Sequence, residues 1–455
     1  MAASHEPTRT LAAFVAKTRD EDLAPAIRAR AAACLLDWIG AVLSGKGSHT
    51  DRSLVPVVSS LGGRGRATLI GRRAGVPAPI AALYNGTVAA VTEIDDVHDL
   101  VSLHPGIGVI PAALAVAEEA EATGRSLLTA IVLGYDIAVR VARVAGDSHY
   151  RFWHSTATCT GFGAAAAAGK LLGLDNEGLC MALGLAGTQA AGLWESLTTV
   201  AVSAKHLHSG KAAFHGVLSG LLARHGFRGS PTILEGPRGF LAAMAHVEPR
   251  DVTTLTADLG RPFLIGRNFF KRYACCKACI EGIDGIRSLL ARPGFGPADL
   301  VRVVVELIPD NHRLVHNPAP ATPEEAKFSI QFCLALAAVT GGADVRDFSE
   351  AMLRDRRVRA WMKKVEVRSA PGLPVRARLT AHRSDGKTAS VEPALRSLEP
   401  DEVRDKFRRV ARPLLGARAA EALVDTVDCL DGARNLHALS HLLRRSVRCG
   451  SPAQD

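Results

Sequence analysis

Leu300-Val-Arg-Val-Val-Val-Glu-Leu-Ile308 is a β-rich run in a chain whose other long apolar stretches read as helices. Its neighbourhood shares that character. Lys364-Val-Glu-Val-Arg368 and Val375-Arg-Ala-Arg-Leu-Thr380 alternate as strands do, and Ser384-Asp-Gly386 forms a hairpin turn leading to Thr388–Val391. One helix, about Phe328 to Thr340, crosses the region, and Pro318-Ala-Pro320 reads as a loop. The change of character begins near Phe263, so 263–400 is expected to be a smaller α+β domain. The sequence before it is Ala-rich and helical in pattern: Asp22 to Ser44, Pro111 to Ala122, Ser126 to Val144, Gly163 to Leu172 and Gly210 to Arg224. Asp175 caps a further helix starting near Glu177. From Asp401 onward the pattern is helical again. The expected fold is therefore mainly α: one large all-helical domain, 1–262 with 401–455, carrying the smaller α+β domain as an insertion.

A chain of 455 residues exceeds one ordinary core, which agrees with two domains. With 47% hydrophobic and 22% charged residues it has a globular composition. The longest uncharged stretch, Gly178 to Trp194, is too short and too rich in glycine to cross a bilayer, so a buried helix is expected and no membrane partner. Met1-Ala-Ala-Ser-His-Glu6 lacks a basic stretch leading into an apolar run, and the nine cysteines are scattered and odd in number. Reduced thiols in a cytoplasmic protein are expected. The net charge of +10 comes from dispersed arginines and aromatics are only 5%, so nucleic acid is not an expected partner.

Four stretches carry groups able to do chemistry. In Glu93-Ile-Asp-Asp-Val-His-Asp-Leu-Val-Ser-Leu-His104-Pro-Gly106, the acids Glu93, Asp95, Asp96 and Asp99 and the imidazoles His98 and His104 lie between apolar segments. Buried acids and imidazoles are unfavourable unless paired or used, and a His beside a carboxylate suits proton transfer near neutral pH. A loop whose acids merely cap helices is the plainer alternative. In Phe152-Trp-His154-Ser-Thr-Ala-Thr-Cys159, His154 precedes a polar helix start that could hold a carboxylate; Ser155 or Thr156 could equally be an N-cap and His154 a packed side chain. Ser203-Ala-Lys205-His-Leu-His208-Ser-Gly-Lys211 gathers basic groups where a helix begins, either for an anion or as a solvated turn. Lys271 and Arg272 lie at the expected domain junction, followed by Cys275, Cys276 and Cys279. The C-x-x-C spacing has no second pair, so buried thiols rather than a metal are expected. The chain has no P-loop, no G-x-G-x-x-G turn, no G-x-S-x-G elbow and no H-E-x-x-H, which argues against nucleotide, hydrolase and zincin chemistry.

Taken in order, these residues resemble the MmgE/PrpD family of 2-methylcitrate dehydratase, cis-aconitate decarboxylase and iminodisuccinate epimerase. The markers are Leu36-Asp-Trp-Ile-Gly-Ala-Val-Leu-Ser-Gly45, Glu93-Ile-Asp-Asp96 with His104-Pro-Gly106, His154 with Gly161-Phe-Gly-Ala-Ala-Ala-Ala-Ala168, and Lys205-His-Leu-His-Ser-Gly-Lys-Ala-Ala213. Gly226-Phe227, Ile233-Leu-Glu-Gly-Pro-Arg-Gly-Phe240, Lys271-Arg-Tyr273 with Cys275-Cys276, and Lys327-Phe-Ser-Ile-Gln-Phe332 complete them. The resemblance implies that the smaller domain is a lid, that the protein is a homodimer, and that a cofactor-free and metal-free site lies between the domains. It implies His104 and His154 as pocket histidines, Lys205 and Lys271 as pocket lysines, and Asp95 and Asp96 as the acidic motif.

The chain also departs from the family. Glu93 stands where Asp is frequent and Val97 where Thr is; Ile280 replaces a His and Phe332 a Tyr. Lost hydrogen-bonding groups change discrimination strongly, so the small carboxylic-acid substrate is expected to differ from citrate-like acids. The expected reaction is that of a lyase forming a carboxylate-stabilised carbanion or enolate, of the dehydratase type, with decarboxylation or epimerisation on the same intermediate as alternatives. His104, His154, Lys205, Lys271 and Asp96 would be catalytic, with Asp96 orienting an imidazole. Glu93, Asp95, Val97, His98, His208, Arg272, Ile280 and Phe332 would contact substrate. A carboxylate-binding protein that has lost catalysis is the alternative from another class.

Overall fold

The computed structural model describes residues 6–198, 202–247 and 249–445. Cys449 and the outermost parts of the expected helical domain, 1–5 and 446–455, fall outside them. The chain forms two compact units. The first comprises residues 6–91, 95–270 and 399–445, and the second comprises 92–94 and 271–398. Phe263 to Phe270, expected in the smaller domain, belong to the first unit, where Asn268–Phe269 pairs antiparallel with Val97–His98. The protein is mainly α-helical with a few small sheets.

The first unit is built mainly of helices. At its centre Ala78–Ala89, Gly106–Glu119, Thr160–Leu171 and Val202–Arg224 pack on one another. Nearly every residue of Gly106–Glu119 and the first ten of Thr160–Leu171 are buried, as an apolar helix surrounded by other helices requires. The helix expected to start at Pro111 starts at Gly106 and carries Pro111 in its interior. The run Gly178–Trp194 is helical only as far as Gly187, in Asn176–Gly187, whose N-cap Asp175 accepts from the Gly178 N–H at 2.8 Å. Small residues set the spacing between helices. A Cβ on Gly210 of Val202–Arg224 would lie 2.0 Å from Thr87 Oγ1 and 2.2 Å from the Leu83 carbonyl oxygen. The helix Pro400–Leu415 is tied to Pro25–Gly45 by a buried ion pair, Lys406 Nζ to Asp37 Oδ1 at 2.6 Å.

In the second unit Leu300–Leu307 is an inner strand of a four-stranded sheet. It runs parallel to Val365–Ser369 and antiparallel to Ala377–Arg383, which turns back to Thr388–Val391. Lys277–Leu290 packs on this sheet and on Ile330–Thr340. Among the described residues no helix is long and apolar enough to cross a membrane.

Because the Gly210 approach leaves no room for a methyl group against backbone, Gly210→Ala is expected to destabilise the protein by about 1–3 kcal/mol, the usual range for overpacking. Gly63→Ala, where an added Cβ meets nothing within 4 Å, is the control. Urea unfolding of both variants checks this, and equal midpoints would refute it.

Candidate active site

The acidic stretch folds as a short loop whose side chains are nearly all buried. Asp95, Asp96 and His98 are 2%, 3% and 0% exposed, so each must find a partner inside the protein. The carboxylate that reaches His104 is Asp95: its Oδ2 lies 2.7 Å from Nδ1. This corrects the expectation that Asp96 orients an imidazole. Asp96 faces away, accepting from Tyr135 OH at 2.6 Å, Asn268 Nδ2 at 2.7 Å and the Gly106 N–H at 3.1 Å. Gly106 is required there, because a Cβ would sit 2.6 Å from Asp96 Oδ1 and 2.7 Å from Tyr135 OH. The two carboxylates thus hold opposite ends of His104-Pro105-Gly106.

His98, also expected to contact substrate, has both ring nitrogens against backbone: Nε2 at 2.9 Å from the Leu264 carbonyl oxygen, and Nδ1 accepting from the Leu100 N–H at 3.2 Å. Neither nitrogen is left for a ligand, and the role of His98 is to fix its strand. Val97 is buried in the same short strand. His104 differs from this surrounding. It is half-buried, Nδ1 carries the bond to Asp95, and Nε2 has no hydrogen-bond partner among the described residues.

The second imidazole comes from the turn before Ser155–Thr158. His154 occupies the N-cap position of that short helix, and neither Ser155 nor Thr156 caps it. Thr156 instead accepts the backbone N–H of His104 on Oγ1 at 3.1 Å, which brings the two histidine segments together. Sequence reasoning missed this role. The available signal was three hydroxyl residues, Ser155, Thr156 and Thr158, inside a buried segment. His154 Nδ1 lies 3.1 Å from His208 Nδ1, and its ring rests on Trp194 at a centroid distance of 4.6 Å.

His208 and Lys205 lie one turn apart on Val202–Arg224, both almost fully buried. Burial, followed by the charges of Lys211 and Lys205, pushes His208 down to about 4, so it is neutral at physiological pH. Asp95, His104, Thr156, His154, His208 and Lys205 all lie within the first unit, and hydrogen bonds link the first five in two runs, Asp95–His104–Thr156 and His154–His208.

The remaining expected residues are in the second unit. Lys271 is fully buried and donates to the Glu93 carbonyl oxygen at 2.7 Å, with Glu93 Oε2 at 3.5 Å. Glu93 has a φ of 57°, in the left-handed region, which for a non-glycine residue costs on the order of 1–2 kcal/mol. Ile280 and Phe332 are 0% exposed on Lys277–Leu290 and Ile330–Thr340, and Arg272 is half-buried. Of the C-x-x-C pair expected to be buried thiols, Cys279 is buried and Cys276 half-buried, and Cys275 and Cys333 are buried as well. Among the described residues no group of three or more His, Cys, Asp or Glu is arranged to hold a metal ion.

Residues 9–252 match the MmgE/PrpD N-terminal domain and residues 273–432 the MmgE/PrpD C-terminal domain. The chain belongs to the MmgE/PrpD family. Curated relatives include cis-aconitate decarboxylase of Homo sapiens, 28% identical over 406 residues, covering 83% of this chain and 82% of that protein. The Mus musculus cis-aconitate decarboxylase is 26% identical, covering 96% and 93% of the two chains, and that of Aspergillus terreus is 25% identical, covering 94% of each. Membership in the MmgE/PrpD family with decarboxylase relatives supports an enzyme of the lyase type.

Burial, opposed by the Tyr135 hydrogen bond and reinforced by Asp37 and Asp95, raises Asp96 to about 7. The native carboxyl keeps its proton to higher pH than the unfolded chain, so its stabilising contribution is complete below the ordinary carboxylate pKa near 4 and is lost as pH rises through about 7. Asp96→Asn removes this titration. Between pH 4.5 and 7.5 the wild-type protein should lose stability relative to the variant, with a slope of at most about 1.4 kcal/mol per pH unit. Denaturant unfolding across that range measures it; parallel pH profiles would contradict the assignment.

Proposed function

We propose that this chain is a lyase that acts on a small carboxylic acid through a carboxylate-stabilised carbanion, with decarboxylation as its reaction. The observation that carries the reading is His104: a half-buried imidazole with Nδ1 fixed by Asp95 and Nε2 left to exchange a proton. The activity named for the relatives supports carbon–carbon cleavage over the dehydration expected from the sequence.

In this reading the C–C bond to one carboxylate breaks and its electron pair passes into a carbanion conjugated with a second carboxylate. Carbon dioxide leaves, and the carbon takes the Nε2 proton of the doubly protonated His104 ring, which is left neutral. Asp95 holds the ring in the tautomer with hydrogen on Nδ1. Developing negative charge needs fixed positive charge, and Lys205 supplies it from the helix that carries His208. Lys271, paired with Glu93 in the second unit, is proposed as the other carboxylate-binding lysine. His154, coupled to His208, is proposed as the second proton carrier. The smaller unit acting as a lid, a homodimeric assembly, a cytoplasmic location and independence of any cofactor belong to the same proposal.

The test is incubation with unsaturated and hydroxylated di- and tricarboxylic acids in deuterated water, followed by NMR and carbon dioxide release. One acid should yield carbon dioxide and a product with a single deuterium on carbon. A new alkene without carbon dioxide would instead identify dehydration, and deuterium wash-in without net conversion epimerisation. No change in any acid would count against a catalyst and for a carboxylate-binding protein. His104→Ala should lower turnover by about 10²–10⁴-fold, the usual contribution of a positioned acid or base, with the fold intact by circular dichroism. Asp95→Asn should give a smaller loss. An unchanged rate in His104→Ala would sink the assignment.

A further inference from the structure

His104 is held at three points. Asp95 takes its ring, Asp96 takes the N–H of Gly106 at the end of the same turn, and Thr156 takes its own backbone N–H. The third contact differs from the others because it joins two catalytic segments. Thr156 is 0% exposed, stands two residues after His154, and has its own backbone carbonyl bound by the Thr160 hydroxyl and that of His154 by the Ala157 N–H. The hydroxyl therefore projects from a segment whose position is already fixed. The backbone N–H of His104 has no helical partner, because the helix that follows begins only at Gly106. A valine in place of Thr156 would keep the shape and remove the acceptor, so the N–H would lose its bond and the turn would be free to shift.

We propose that Thr156 is a positioning residue, holding the proton-transfer face of His104 in register with His154 through its hydroxyl. The inference rests on the reading of His104 as the proton-transfer group. Displacement of a reacting group by about 1 Å can lower turnover by about a hundredfold. Such a loss falls on kcat rather than KM when substrate contacts are unchanged.

The experiment compares Thr156→Val and Thr156→Ser with wild type on the acid identified in deuterated water, at a temperature where unfolding curves show all three folded. Thr156→Val should lower kcat about tenfold to a hundredfold with KM little changed, and Thr156→Ser, which keeps the hydroxyl, should recover most of the loss. A kcat for Thr156→Val within about twofold of wild type would overturn the proposal, as would a Ser variant as impaired as the Val variant. A second readout is independent of turnover. With ¹³C-labelled histidine, the His104 ring signal is identified by its absence from His104→Gln. It should shift or broaden in Thr156→Val and return in Thr156→Ser. An unmoved His104 signal would overturn the proposal even if the protein proved to catalyse a different reaction.

Discussion

The burial of three carboxylates within four residues organises the chemistry of the acidic loop. Glu93, Asp95 and Asp96 are 3%, 2% and 3% exposed. A buried carboxylate must be neutralised, paired or saturated with hydrogen bonds. Each of the three does this differently. Glu93 meets Lys271, Asp95 meets an imidazole, and Asp96 collects a phenol, an amide and a backbone N–H. These obligations fix the direction of the loop, the start of Gly106–Glu119 and the pairing of Val97–His98 with Asn268–Phe269. A histidine with one ring nitrogen unpartnered among the described residues is the result, rather than a separate device.

Such a loop needs a rigid surrounding, which small residues provide. With Gly210 against the Leu83 carbonyl, the helix carrying Lys205 and His208 lies against Ala78–Ala89 at a distance larger side chains would forbid. Side chains held by close-packed helices lose little freedom when a substrate binds. The alanine-rich composition of this half is thus tied to the precision of the site and not only to helix propensity.

Elements that declare themselves by period were legible in the sequence. The strand Leu300–Leu307, its antiparallel neighbour Ala377–Arg383 and the helix Ile330–Thr340 fall within a few residues of expectation, because alternation and apolar runs are local properties. The start of Gly106–Glu119 was missed for a physical reason. A helix buried on all sides has no polar face to mark its end, and Pro111 imitates a first-turn proline, whereas the true start is set by Asp96 binding the Gly106 N–H. The choice between Asp95 and Asp96 as the partner of His104 was likewise not local. It depends on which way the loop turns, and that turn is made together with the pairing to Asn268–Phe269, a strand far along the chain. His98 resembled a functional histidine by composition alone, while its use against the Leu264 carbonyl required the fold.

The two imidazoles are not equivalent, and the difference suits a division of labour. His104 is partly open, with Nδ1 2.7 Å from Asp95 Oδ2, the arrangement that the proposed proton transfer calls for. His154 is buried against His208, which burial and two lysines keep neutral. One Nδ1 of that pair carries the hydrogen and the other accepts it, so the contact adds no positive charge beside Lys205 and Lys211. In the proposed reaction, positive charge for the anionic intermediate comes from the lysines and protons from the imidazoles. Were His208 readily protonated, the same helix would carry three adjacent cations at Lys205, His208 and Lys211, and like-charge repulsion would oppose the packing that places them.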